Sequence, residues 1–216
     1  PLCVGLVNDA DKEGVYSSLM STIEKDGFAL TAGDIGFHYL VEALIAEREY
    51  AEILYKMINR QDVPGYGFQL AKGATALTES WPALEEVSNN HLMLGHIMEW
   101  FYTCILGIRD TADAVASDKL ILRPMPIGDI EWASGSYMSP RGLIRIKWEK
   151  HKEEFKLICS IPDGVKAKII LPEGYTKASK GNTFFPAKNV KYINNQVEID
   201  TIGGDYNLSY SLKTVN

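Results

Sequence analysis

Residues able to do chemistry are densest in Gly73-Ala74-Thr75-Ala76-Leu77-Thr78-Glu79-Ser80-Trp81-Pro82, followed by Asn89-Asn90-His91-Leu92-Met93-Leu94-Gly95-His96. Glu79 is flanked by small residues and stands two positions before Trp81. A carboxylate beside an aromatic wall suits a sugar: the indole face stacks on the apolar face of a pyranose while the carboxylate handles a proton. His91 could donate a hydrogen bond to a sugar hydroxyl. The plainer alternative stays open, with Glu79 a surface or capping residue and Trp81 a packing residue.

Other positions carry less. His91 and His96 are five apart, not the i, i+4 spacing that puts two imidazoles on one helical face, so no metal pair is expected. His38 lies on an expected helix and reads as a satisfied core or boundary histidine. Asp34 reads as a helix N-cap. Glu85-Glu86 resembles paired carboxylates, but adjacent side chains diverge and a solvated loop is the simpler reading. No nucleophile-elbow, phosphate-loop, dinucleotide or zinc-protease motif is present. No cofactor is expected.

The elements that must position these groups have two different periods. Val15, Leu19 and Ile23 repeat at helical spacing, as do Phe37 to Ile45, Tyr50 to Ile58, and Leu94 to Ile108. Asp9 is the expected N-cap of the first helix and Gly27 its stop. Gly65, Gly67 and Gly73 punctuate a long connection before the fourth helix. The helix around Ile97 to Ile108 is apolar nearly all round and needs neighbours on every side; either the β half covers it or more helices precede Pro1, and the second is expected. Beyond residue 117 the period becomes two, in runs at 119–123, 142–148, 154–161, 167–171, 190–193, 196–199 and 206–212. Turn signals separate them, among them Pro162-Asp163-Gly164 and Gly203-Gly204. This predicts an antiparallel β-sandwich. The fold class is therefore α+β as two domains, 1–112 helical and 113–216 β.

Composition narrows the partners. The chain has 216 residues, 46% hydrophobic and 23% charged, which is globular. Its net charge is −6 and no dense Lys/Arg block stands out, so no nucleic acid is expected. No apolar run is long enough to span a bilayer as a helix, and no membrane partner is expected. Cys3, Cys104 and Cys159 are scattered and odd in number, which indicates neither a disulfide framework nor a zinc site. The chain opens Pro1-Leu2-Cys3-Val4-Gly5 without a Met and inside an apolar stretch. It reads as a fragment or processed product of something longer, with self-association expected through an open helical face.

An ordered set of segments then resembles one family. These are Ala29-Leu30-Thr31-Ala32-Gly33-Asp34-Ile35-Gly36-Phe37, Asp62-Val63-Pro64-Gly65-Tyr66-Gly67-Phe68, Lys72-Gly73-Ala74-Thr75 with Thr78-Glu79-Ser80-Trp81, and Asn90-His91 with Gly95 and Glu99-Trp100-Phe101-Tyr102. With Ile121-Leu122-Arg123-Pro124, Gly128-Asp129-Ile130 and Gly135-Ser136-Tyr137, they resemble the C-terminal part of bacterial α-L-rhamnosidases of glycoside hydrolase family 78. The resemblance implies the C-terminal helices of an (α/α)6 barrel followed by a β-sandwich. It implies hydrolysis of terminal α-L-rhamnose with inversion, acting on rhamnose-containing glycosides or polysaccharides. It places Glu79 on the family's general base, Trp81 on the second Trp of its Trp-Glu-Arg-Trp stretch, and His91 on a rhamnose-contacting histidine. Thr78 and Ser80 stand where that stretch has its first Trp and its Arg. The family's general acid lies upstream of anything present here, so the chain alone is expected to be inactive without the missing N-terminal part. A bacterial periplasmic or extracellular address is also implied. A non-catalytic carbohydrate-binding or structural module, or another (α/α)6 exo-glycosidase, remains the alternative.

Overall fold

A computed structural model describes residues 1–179 and 182–212. Tertiary contacts divide the chain into two compact units, Pro1–Trp100 and Phe101–Asn216. The first is helical and the second is built on a mixed sheet, so the chain is α+β.

In the first unit, α1 (Lys12–Lys25), α2 (Asp34–Ala46) and α3 (Ala51–Asn59) form where apolar residues recur at helical spacing. Their inward residues Tyr16, Ile23, Phe37, Val41, Leu44, Leu54 and Met57 are buried. Gly27, at φ 63°, ends the first helix in the left-handed region, as expected. The caps differ by a residue or two: Asp11 caps α1, and Gly33 caps α2 with Asp34 as its first residue.

Two departures matter. The connection after α3 contains a further short helix, α4 (Tyr66–Ala71). Its Gly67 is not a breaker: a Cβ there would meet the Arg60 carbonyl oxygen at 2.5 Å, so the glycine permits close backbone approach. The expected long helix over 94–108 is instead a 3₁₀ turn Leu92–His96, then α5 (Ile97–Trp100), then a π-helical turn Phe101–Ile105. Ile108 already begins a strand. Trp100, Cys104 and Ile105 are buried, whereas Met98 and Phe101 are exposed, so apolar residues on every side do not fix a long helix buried all round.

The second unit holds β1 (Ile108–Asp110), β2 (Lys119–Leu122), β3 (Trp132–Ser139), β4 (Gly142–His151), β5 (Glu154–Ile170), β6 (Tyr175–Ala178), β7 (Val190–Ile193) and β8 (Gln196–Leu212). The order is β1-β2-β5-β4-β3, with β8 also on β5, and β6 and β7 on β8. All pairs are antiparallel except β2 on β5, which is parallel; this corrects the purely antiparallel expectation. The β2–β5 connection contains the whole β3–β4 hairpin, long enough for the crossover a parallel pair requires.

The two turn signals at 162–164 and 203–204 do not end strands. They face each other across the β5–β8 ladder, where the register shifts between Ile161 and Lys166. A Cβ on Gly203 would lie 2.4 Å from the Pro162 carbonyl oxygen, so the bulge needs that glycine. β5 therefore pairs with β4 before the bulge and with β2 after it. Trp148, Phe155, Leu157 and Leu208 are buried on one side of the bulge, and Leu120, Leu122, Ile169 and Ile199 on the other.

Candidate active site and comparison with known proteins

The Glu79 segment is a closed excursion of backbone. Glu79 N–H donates to the Ser88 carbonyl at 2.8 Å, and His91 N–H donates to the Leu77 carbonyl at 2.7 Å. Residues 77–79 and 88–91 thus run beside each other, with 80–87 looping between. Ser88 N–H donates to Glu79 Oε2 at 3.0 Å, which fixes the carboxylate against the same pair. Thr78 is fully buried and its hydroxyl donates to the Ser80 carbonyl at 2.7 Å. Gln69, buried on α4, donates to that carbonyl at 3.3 Å.

The three expected site residues have different surroundings. Glu79 is exposed and makes no ion pair among the described residues. Trp81 is 5% exposed; its indole N–H donates to the Ala32 carbonyl at 2.6 Å. Phe37 and Tyr66 meet its ring edge-to-face, at centroid distances of 4.9 and 5.1 Å. Tyr66 donates its hydroxyl to the Leu94 carbonyl, and burial raises its phenol above the ordinary range. His91 is half-buried, and its Nε2 is enclosed without a hydrogen-bond partner. Leaving a buried polar atom unpaired costs about 1–3 kcal/mol, so such an atom is a place for a ligand. A hollow of about 630 Å³ adjoins the loop, lined by Lys72 to Thr75, Ala83 to Glu86 and Asn89; Glu79, Trp81 and His91 are not in its wall.

Sequence reading passed over a second cluster. His38 and Glu42 are four apart on α2, and Nε2 lies 3.3 Å from Glu42 Oε1. Glu99 on α5 completes a set whose ligand atoms lie within 4.8 Å of one another, a donor set of the kind that holds a divalent ion. His38 Nδ1 is buried without a partner, and the His96 ring lies 4.6 Å away. His38 is therefore not the fully satisfied histidine expected. The i, i+4 spacing of His38 and Glu42 was the available signal; Glu99 carried none.

Comparison with known proteins gives the family. Residues 1–105 match the model of the bacterial alpha-L-rhamnosidase 6 hairpin glycosidase domain, and residues 108–184 that of the bacterial alpha-L-rhamnosidase C-terminal domain. An α-L-rhamnosidase of Streptomyces avermitilis is 26% identical over 180 residues, 79% of this chain and 17% of that protein. One from Formosa agariphila is 28% identical over 207 residues, 90% of this chain and 22% of that protein. The chain thus spans about a fifth of the length of these relatives. The solved α-L-rhamnosidase of Dictyoglumus thermophilum superposes with a TM-score of 0.83 at 25% identity, over 98% of this chain and 24% of that one. The Streptomyces avermitilis enzyme complexed with L-rhamnose shares the fold at a TM-score of 0.82 and 23% identity, over 96% and 20%. With family models along both units and rhamnosidases among its relatives in sequence and in structure, the chain belongs to the bacterial α-L-rhamnosidases.

Proposed function

We propose that this chain is the C-terminal portion of an inverting α-L-rhamnosidase that removes terminal α-L-rhamnose from glycosides or polysaccharides. The helices within residues 1–112 belong to the end of its (α/α)6 barrel, and 113–216, with β1 paired onto them, to its β-sandwich. Glu79 is the general base. It accepts a proton from the water that attacks the anomeric carbon, while a carboxylic acid roughly 6.5–9.5 Å away protonates the leaving oxygen. That acid belongs to the part of the enzyme outside these residues. His91 gives its unpartnered Nε2 to a rhamnose hydroxyl. Trp81 stands in the pocket wall; being almost wholly buried, it fixes that wall more than it stacks on the sugar. The observation carrying this reading is the paired backbone at 77–79 and 88–91, which brings a fixed carboxylate and an unsatisfied imidazole onto neighbouring segments.

The test has two arms. This chain is expected to show little or no release from an aryl α-L-rhamnoside; robust turnover would contradict the missing-acid part. In the full-length enzyme, Glu79→Gln is expected to lower kcat by about 10²–10⁴-fold. Proton NMR of the first-formed sugar should show the β-anomer. A fully active variant removes the base assignment, and a first-formed α-anomer removes inversion. Large apolar side chains on the helical unit, such as Leu6, Ile35, Leu70 and Leu92, are more than two-thirds exposed. Self-association through such exposed side chains follows, and sedimentation as a clean monomer at all concentrations would count against it.

A further inference from the structure

We propose that the β unit carries a binding site for an acidic pyranose, one bearing a carboxylate or a sulfate. The site is a hollow of about 620 Å³, within the ~300–1,000 Å³ of small-molecule sites. It does not depend on the role of Glu79; only the choice of a sugar over another acidic ring compound draws on the family.

The floor follows from strand register. Along β5, Val165, Ala167 and Ile169 are buried, which turns Lys166 and Lys168 to the opposite face. The parallel β2–β5 pair sets Lys119 opposite Lys166, and the β5–β8 pair sets Ile202 opposite Lys166 and Asp200 opposite Lys168. Like charges directly opposite each other are destabilising unless something compensates them. Lys119 has Asp113 at 2.6 Å and Lys168 has Glu198 at 3.2 Å. Asp200 is taken by Lys191 at 3.1 Å. Lys166 has no ion pair among the described residues, so the floor retains one uncompensated cation.

The wall is the segment 182–189. It is tied down: Asn182 and Ser209 exchange bonds of 2.9 and 2.7 Å, Thr183 and Asn207 exchange bonds of 2.8 and 2.9 Å, and Asn189 donates to the Asp200 carbonyl at 3.0 Å. On this pinned segment Phe185 stacks on Tyr206, with centroids 5.4 Å apart, whereas Phe184 is 87% exposed. An aromatic ring held out by an anchored backbone is a preorganised platform. An exposed aromatic ring and a lone ammonium lining one hollow match a pyranose whose C–H face lies on Phe184 and whose anionic group reaches Lys166.

The test is calorimetric titration of this 216-residue chain with methyl β-D-glucuronide, methyl 3-O-sulfo-α-L-rhamnoside and neutral methyl α-L-rhamnoside. One acidic probe should bind at least about tenfold tighter than the neutral one, and which of the two does so identifies the anionic group. Phe184→Ala should weaken it about tenfold. Lys166→Ala should weaken it about fivefold, the exposed cation being partly screened. Glu79→Gln should leave it unchanged, which separates this site from the proposed catalytic one. Both site variants alter exposed side chains, and circular dichroism checks that each is folded. Equal affinity for the neutral glycoside, no binding of any probe, or binding indifferent to both site variants overturns the proposal.

Discussion

The helical unit and the β unit place their aromatic side chains in opposite ways. Trp81 stands beside a carboxylate in sequence, yet its ring lies 5% exposed between Phe37 and Tyr66, with its N–H committed to a backbone carbonyl. Phe184 has no acid beside it in the chain, yet it is 87% exposed and lines the same hollow as Lys119, Lys166 and Lys168. The difference teaches that an aromatic wall is a property of tertiary placement. In the helical unit the polar groups of the proposed sugar site are Glu79 and His91, and the tryptophan is buried against Phe37, Tyr66 and the Ala32 carbonyl. In the β unit the ring itself is on offer, because hydrogen bonds on both sides hold its segment against β8.

The largest expected effect falls on chemistry: Glu79→Gln in the full-length enzyme removes about 10²–10⁴-fold of kcat, while Lys166→Ala leaves hydrolysis of a small aryl rhamnoside within about twofold. Equal losses would erase the distinction between the two regions. Next comes stability. Trp81→Ala in this chain should cost about 3–5 kcal/mol, since it deletes a buried indole and leaves the Ala32 carbonyl unpaired. Denaturant melts read this directly. A cost below about 1 kcal/mol would mean that the indole is free enough to stack on a ligand after all.

A third effect concerns the core of the β unit. Burial pushes the Cys159 thiol from 9.0 up to about 12. The unfolded chain then loses its proton before the folded one. Stability from this group is fully present below pH 9 and is lost as pH rises toward 12, by about 4 kcal/mol at the upper end. Cys159→Ala should flatten the fall of Tm between pH 9 and pH 11, although buried phenols such as Tyr175 and Tyr210 leave part of it in place. An unchanged slope would show that the thiol ionises as easily folded as unfolded.

What the sequence revealed follows from which forces leave a local mark. Burying one face leaves a period, so α1 to α3 and most long strands were legible. β3 was not, because Trp132 to Ser139 is half small and polar and buries little. Pro162-Asp163-Gly164 signals a turn honestly; what makes it a bulge is Gly203 lying against it from far along the chain. Glu79, Trp81 and His91 were singled out from residue type and from family resemblance, but the burial of Trp81 depends on Ala32, Phe37 and Tyr66 on other elements. The hollow that Phe184 lines joins three strands and a loop, and no window of sequence contains them all. The Lys119–Lys166 pairing exists only through the parallel register that periodicity cannot predict.

The smallest expected effect sharpens the comparison most. If Phe184 is a platform for a ligand, its ring contributes almost nothing to folding, and Phe184→Ala should change stability by less than about 0.5 kcal/mol. Water contact on a large apolar side chain brings no folding gain, and the four hydrogen bonds of Asn182 and Thr183 with Ser209 and Asn207 would hold the segment without it. The paired control is Phe185→Ala, which removes a ring stacked on Tyr206 and should cost distinctly more. The two neighbours differ only in where their rings point. A loss above about 1 kcal/mol from Phe184→Ala would show that this ring packs in solution. The β unit would then treat its aromatics as the helical unit treats Trp81.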